Sequence, residues 1–372
     1  MTGSGGSAVA VQHRGGAYDV LVGPGLLARL PALLEERAPA FRYAVVADRT
    51  VADLHAGPVL ADMAAAGLRA ELFPFPAGEA SKNRSEWRRL TDALLDRGYG
   101  RDTAVVALGG GVTGDLAGFV AATYLRGVPV VQVPTSLVAM IDSAVGGKTG
   151  VDVPQGKNLV GAFHPPAVVV VDPEVAATLP RSERAQGLAE AVKHGAILDA
   201  DYFGRLVDDA SKLLDGDPEA TTAAVLRSVE LKAGVVSRDE REGGLRQILN
   251  FGHTLGHALE AASAYRLGHG SAVAAGMVLE ADLGERLEVT EPGTRDRLDD
   301  ALARFELMPT PQVPMPGRAP ADYLGADKKA RGGEPRFVLL ERIGSVARET
   351  GWSRTVPEAL VRAVLDPGHH PS

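Results

Sequence analysis

The residues best suited to chemistry lie in the second half of the chain. Three of its nine histidines, His253, His257 and His269, fall within seventeen residues. His253 and His257 are four apart and share a face if the segment is helical. Core and capping histidines produce the same spacing, so H-x-x-x-H alone leaves both readings open. The chain has no cysteine. That removes disulfides, thiolate metal sites and a Cys nucleophile, and any metal must sit on His, Asp or Glu. A His/His/Glu zinc site is then the natural expectation. Glu190 and Lys193, three apart, form either a surface ion pair or part of a site. Arg246 and Asn250 precede His253 and suit an oxyanion, while Lys232 and the Arg238–Glu242 stretch add charge.

Two glycine-rich segments in the first half suit anions. The strand-like Thr103–Leu108 runs into Gly109-Gly110-Gly111-Val112-Thr113-Gly114-Asp115, a G-x-G-x-x-G in strand–turn–helix context. Glycine lets a pyrophosphate approach the backbone, and a helix start offers free N–H donors. A tight strand-to-helix turn is the structural alternative. No acidic residue closes the next strand, Val128–Val133, where a ribose-binding carboxylate is expected. The second segment, Asp142 to Gly150, contains Gly146-Gly147-Lys148-Thr149 but misses P-loop spacing, and Gly156-Lys157-Asn158 repeats the Gly-Lys pair. Two such pairs in one loop region suggest an anion site, against a plain surface loop. The chain uses 31 arginines but only eight lysines, and seven of those lie in the clusters named here, in Lys328-Lys329 or at Lys82. A compact ammonium suits point contact with phosphate or carboxylate.

These residues need elements to position them. Strands at Tyr18–Val22, Tyr43–Ala47, Leu72–Phe75, Thr103–Leu108, Val128–Val133 and Val168–Val171 alternate with helices at Leu26–Arg37, Pro58–Ala66 and Ser85–Arg97. That order predicts a Rossmann-like parallel sheet with crossover helices, which binds ligands at the carboxyl ends of its strands. After Leu179-Pro180 the pattern becomes helical. Helices are predicted at Ala185–Ile197, Asp201–Leu214, Pro218–Arg238, Leu245–Ala262, Ala272–Leu287, Gly293–Phe305 and Pro357–Leu365, with one late strand at Arg336–Leu340 and a proline-rich loop at Pro309–Pro320. The expected domains are an α/β domain over residues 1–179 and a mainly α-helical domain over 180–372. A length of 372 residues fits two domains at about 150 each.

Composition narrows the class. The formal charge of −8 argues against wrapping nucleic acid or an anionic membrane. A hydrophobic fraction of 45% suits a globular core. No apolar run approaches the roughly 20 residues of a membrane helix. The Gly/Ser-rich opening Met1–Ser7 lacks the pattern of an export signal, so a cytoplasmic protein is expected.

Taken in order, the blocks resemble the 3-dehydroquinate synthases of the sugar phosphate cyclase superfamily. The resemblance runs from about Phe75 to Gly344. It rests on Pro76-Ala77-Gly78-Glu79 with Lys82, Gly109–Phe119, Tyr124-Leu125-Arg126-Gly127, Asp142–Val151 and Gly156–Gly161. It continues through Gly187–Lys193, Asp239–Glu242 with Leu245-Arg246, Asn250–His257, His269-Gly270 and Asp327-Lys328-Lys329. It implies an NAD-binding α/β domain, a helical metal-binding domain, an active site in a cleft between them, and a homodimer. Carried over, the ligands of zinc, or of cobalt in its place, are Glu190, His253 and His269, while His257 becomes a proton-transfer group rather than a ligand. Implied NAD contacts are Asp48, Glu79, Lys82, Gly111, Val112, Thr113, Gly114, Asp115, Thr135, Ser136, Asp142, Lys148, Lys157 and Thr178. Implied substrate contacts are Lys148, Asn158, Lys193, Lys232, Arg246, Asn250, Lys328 and Lys329, with Arg126 reaching the neighbouring subunit's phosphate site. The implied reaction is a carbon–oxygen lyase step of the shikimate pathway, on a seven-carbon keto-acid sugar phosphate. Departures are mild: Thr113, Ser136 and Ser271 replace the usual Val, Thr and Glu, and Ala80-Ser81 a bulkier pair. Thr113 also occurs in the deoxy-inosose branch, which lacks the Val145-Gly146-Gly147-Lys148 pattern. The valiolone-forming branch tends to differ near Gly114-Asp115 and Gly156-Lys157. Those branches, and a metal-dependent NAD polyol dehydrogenase, are the competing readings.

Overall fold

The computed structural model describes residues 6–308, 319–324, 334–349 and 351–365. The chain divides into two compact units: Met1–Leu179 with Thr221–Ser237, and Pro180–Ala220 with Arg238–Ser372.

The first unit is built on a seven-stranded sheet. Its strands are β1 (Ser7–His13), β2 (Gly16–Val22), β3 (Arg42–Asp48), β4 (Ala70–Phe75), β5 (Thr103–Gly109), β6 (Val130–Pro134) and, after a hairpin described below, β9 (Val168–Val171). Their order is β1-β2-β9-β6-β5-β3-β4. Only the β1–β2 pair is antiparallel. Side chains alternate across a strand, so the apolar runs Ala44–Ala47 and Val105–Leu108 feed two cores at once. Val45, Val106 and Leu108 pack with Leu30, Leu34, Val59 and Met63 on one face. Ala44, Val46, Val105 and Ala107 pack with Leu90, Leu94, Leu116 and Val120 on the other. This is the doubly covered parallel sheet that the strand–helix alternation predicts.

Two differences from the sequence reading matter for the site. The Gly-Lys region is not a loop. It is an antiparallel hairpin, β7 (Lys148–Val153) against β8 (Gly156–Phe163). Five glycines, at 146, 147, 150, 156 and 161, interrupt the apolar alternation by which a strand is recognised. Most of the helix Pro218–Val236, expected in the helical domain, counts with the α/β unit. Lys232 Nζ stands 2.8 Å from Asp142 Oδ1, and Gln12 N donates to Ser237 Oγ at 2.9 Å. Helical periodicity reveals which face is buried, not in which unit.

The second unit is mainly helical. Its central helix, Arg181–Leu198, is buried on nearly every face from Gly187 to Ile197, as expected of a helix surrounded by others. The helices His253–Ala262 and His269–Arg286 pack through Leu255, Ala258, Leu259, Ala272, Ala275 and Leu283, joined by Phe337, Leu339, Val361 and Val364. The helix expected over Leu245–Ala262 is interrupted. A 3-10 turn spans Leu245–Asn250, and Gly252 then takes φ 78° before the α-helix begins at His253. A Cβ there would lie 2.6 Å from Met277 Cγ and 2.8 Å from Val273 O. Only glycine meets both the left-handed backbone and the close approach. The predicted helix Asp201–Leu214 likewise splits into Ala200–Asp208 and Ala210–Asp215. The late strand is the short Leu340–Arg342, paired with Ser345–Val346. The proline-rich loop falls largely outside the described residues, as do Lys328 and Lys329. Among the described residues no helix is long and apolar enough to cross a membrane.

Candidate active site

In the helical unit three helices bring to a common point one side chain each that could ligate a metal ion. Glu190 lies in the middle of Arg181–Leu198 and is 1% exposed. His253 and His269 open the helices His253–Ala262 and His269–Arg286. Glu190 Oε1 stands 3.2 Å from His269 Nε2 and 3.5 Å from His253 Nε2. One ligand atom from each of the three lies within 4.8 Å of the others. His253 Nδ1 is 3.2 Å from Phe251 O. With the ring proton donated there, Nε2 keeps its lone pair for a cation. Glu190 Oε2 pairs with the ammonium of Lys193, three residues on and equally buried. Burial opposes the Glu190 charge, but Lys193, His253 and His269 hold its pKa well below the ordinary carboxylate value. Burial also works against a charged His269, yet Glu190 and Glu260 carry its pKa up to about 10. Two imidazoles beside an ionised carboxylate fit a divalent cation, and three protein ligands are the number of a catalytic zinc site.

His257 does not join this trio. Its side chain is 58% exposed, and its Nε2 lies 4.0 Å from Glu260 Oε2. The H-x-x-x-H spacing therefore places two histidines on one face, of which only His253 meets Glu190.

Three positioning residues escaped the sequence reading. Gln186, one turn before Glu190, donates from Nε2 to Ser271 Oγ at 2.7 Å, and its Oε1 accepts from Ser271 N at 3.0 Å. This reciprocal pair fixes the start of the His269 helix against the Glu190 helix. Glu280, fully buried, accepts from Gly252 N at 2.8 Å, at the start of the His253 helix. Glu260 faces His269 and His257. Spacing offered a signal for Gln186 and Glu260, at i−4 from Glu190 and i+3 from His257. Glu280 had none.

Arg246 is buried and Asn250 half-buried at the 3-10 turn. Asp239 accepts backbone N–H groups of Gly243, Gly244 and Arg246 at 2.9, 2.7 and 2.9 Å. Burial works against the charge of Asp239, but these bonds lower its pKa. Asn250 Nδ2 donates to Glu242 Oε1 at 2.5 Å.

In the α/β unit, β3, β5 and β6 end side by side at Asp48, Gly109 and Pro134. This carboxyl edge is where such sheets bind ligands. The helix Gly111–Thr123 starts there, carrying Gly111, Val112, the buried Thr113, Gly114 and Asp115. A Cβ on Gly114 would lie 2.8 Å from Gln132 Oε1 of β6, so the last glycine of the motif lets helix and sheet close up. The carboxylate missing from the end of β6 has a counterpart on β3, the other neighbour of β5. Asp48 caps the next turn through Val51 N at 3.1 Å. That adjacency is spatial and invisible to a scan along the chain.

Thr135 N donates to Gly109 O at 3.0 Å, and Ser136 lies beside it. Thr178 Oγ1 donates to Val175 O. Lys82 is enclosed by acids, with Nζ 3.0 Å from Glu79 Oε1, 3.3 Å from Asp115 Oδ2 and 3.8 Å from Asp152 Oδ1. Lys157 Nζ stands 3.7 Å from the same Glu79 oxygen. Burial pushes Asp115 up to about 6 despite Lys82. Asp152 also accepts from Asn158 N at 2.8 Å, and Asn158 holds φ 57°. Asp152, another residue missed in the sequence, thus ties the hairpin to Lys82. Lys148 and Asn158 are exposed on that hairpin, and Arg126 is exposed after the Gly111 helix. Asp142 pairs with Lys232.

Known proteins share this fold and much of this sequence. The family model for the 3-dehydroquinate synthase N-terminal part matches residues 72–186, and that for the C-terminal part residues 187–330. A 3-dehydroquinate synthase of Symbiobacterium thermophilum is 47% identical over 331 residues, covering 88% of this chain and 92% of its own. A 2-epi-5-epi-valiolone synthase of Streptomyces hygroscopicus, solved with NAD+ and Zn2+ bound, superposes with a TM-score of 0.83 at 30% identity, over 94% of this chain and 95% of its own. A 2-deoxy-scyllo-inosose synthase, solved with carbaglucose-6-phosphate, NAD+ and Co2+, reaches a TM-score of 0.86 at 24% identity, over 97% and 100% of the two chains, a likeness of fold. These two cyclases share the architecture at 24% and 30% identity, against 47% for the synthase. The chain belongs to the 3-dehydroquinate synthase family.

Proposed function

We propose that the chain converts 3-deoxy-D-arabino-heptulosonate 7-phosphate into 3-dehydroquinate and inorganic phosphate, as a carbon–oxygen lyase of the shikimate pathway working as a cytoplasmic homodimer. The single observation that carries this reading is the convergence of Glu190, His253 and His269 in a chain of this family.

Glu190, His253 and His269 are the residues that would hold Zn2+ or Co2+, and the carboxyl edge of the sheet is where NAD would bind. When bound, the cation acidifies a substrate hydroxyl, and the nicotinamide takes up a hydride and gives it back, so that no net oxidation results. The remaining work falls to the chain. Lys193 keeps Glu190 ionised and thus ready to ligate. The first-turn N–H groups at Gly111, Val112 and Thr113 would hold the pyrophosphate, with Gly114, Asp115, Asp48, Glu79, Lys82, Thr135, Ser136, Asp142, Lys157 and Thr178 as further cofactor contacts. Lys148, Asn158, Lys193, Lys232, Arg246, Asn250 and the Lys328-Lys329 pair hold the substrate's phosphate and carboxylate, and Arg126 serves the neighbouring subunit. Such a set neutralises two anions and holds a flexible intermediate in one reactive geometry. His257, exposed beside His253, moves the proton. Loss of phosphate, ring opening and aldol closure rearrange the carbon frame.

The test is incubation with the seven-carbon substrate, NAD and Zn2+, with phosphate and product measured together. Stoichiometric phosphate and carbocycle without accumulated NADH support the reading. Stoichiometric NADH without phosphate would make the chain a polyol dehydrogenase.

A further inference from the structure

We propose that Glu260 is a positioning residue that orients the imidazole ring of the metal ligand His269 through its Nδ1 side. The proposal rests on the cation reading given above. Both ring nitrogens of His269 face a carboxylate: Nε2 lies 3.2 Å from Glu190 Oε1, and Nδ1 lies 3.6 Å from Glu260 Oε1. A neutral imidazole carries one proton. If Nε2 is to offer its lone pair beside Glu190, the proton belongs on Nδ1, and the group waiting there is Glu260.

Glu260 is well placed for this task. It is 4% exposed, on the helix that begins at His253. Its second oxygen, Oε2, lies 4.0 Å from Nε2 of His257, so it stands between two imidazoles. A buried carboxylate is expensive without positive or hydrogen-bonding partners, and these histidines supply them. The other ligand shows the same arrangement by different means. His253 turns Nδ1 to Phe251 O, so its own backbone does for His253 what Glu260 does for His269. His257, Glu260 and His269 also lie close enough to hold a cation themselves. His269 decides between the two uses, because it cannot ligate through both nitrogens without losing its only ring proton. The second trio is therefore support for the first.

The experiment measures Zn2+ affinity of the full chain after chelator treatment, by competition with a chromophoric chelator, alongside the melting temperature of the metal-free protein. We expect Glu260→Ala to weaken Zn2+ binding about 10- to 100-fold, the range seen when a carboxylate behind a metal-bound histidine is lost. Glu260→Gln, whose amide oxygen still accepts from Nδ1, recovers part of that loss. The metal-free melting temperature stays near the parent's, which a general packing defect would not allow. A Zn2+ affinity within threefold of the parent in Glu260→Ala overturns the proposal. If the alanine variant does not fold, the glutamine variant decides, expected about tenfold weaker and contradictory within threefold. His269→Ala is the control. If it binds Zn2+ as the parent does, the cation reading itself fails; if only it loses binding, the role of Glu260 fails alone.

Discussion

Lys193 lies one helical turn beyond Glu190, and its ammonium meets Glu190 Oε2 where both side chains are 1% exposed. The pair sits at the centre of the helical unit, with His253 and His269 on the opposite oxygen. An anion is held there between an ammonium and two imidazoles.

Removing the ammonium leaves Glu190 with only its histidines. We expect Lys193→Met to destabilise the metal-free chain by about 3 kcal/mol, since breaking a buried pair strands a charge. Added Zn2+ restores more stability to this variant than to the parent. Thermal melts with and without Zn2+ check both points. Identical metal-free melts would show that the pair contributes nothing.

Gly252 sets the start of the His253 helix at φ 78°, with Met277 and Val273 against it. Gly252→Ala is expected to cost about 2 kcal/mol or more, from a strained backbone and a clash together. It also displaces His253, so Zn2+ affinity falls with stability. Denaturant unfolding and Zn2+ titration on one preparation test the coupling; a loss of stability with unchanged affinity would separate the turn from the site.

Glu280 gives a pH dependence with a definite sign. Burial pushes its pKa up to about 8 from 4.5, against the N–H groups of Gly252, Leu255 and Thr254. The folded chain therefore binds this proton more tightly than the unfolded chain. The resulting stabilisation is full below 4.5 and is lost as pH rises toward 8. Glu280→Gln needs no proton, so its melting temperature should fall by several degrees less than the parent's between about pH 5 and about pH 8. Equal slopes would mean that Glu280 keeps its charge when buried.

Much of this was legible in the residues themselves. Val168–Val171 and Thr103–Leu108 are apolar runs of strand length, and the structure makes them strands buried on both faces. Glu190, His253 and His269 were named through resemblance, because their meeting depends on three helix directions that no spacing encodes. The break at Gly252 was hidden because apolar spacing continues across it. The hairpin Lys148–Phe163 was hidden by its glycines. Asp152, Gln186, Glu260 and Glu280 act through partners distant in the chain, so their roles emerge only once the helices and strands are packed.

The central claim is that Glu190, His253 and His269 hold one catalytic cation. The most direct measurement is metal content and phosphate release in parent and His253→Ala chains after chelator treatment and return of Zn2+. We expect one Zn2+ per parent chain with phosphate release restored, and a variant that neither retains Zn2+ nor releases phosphate. A metal-free His253→Ala chain turning over at the parent's rate would contradict the account.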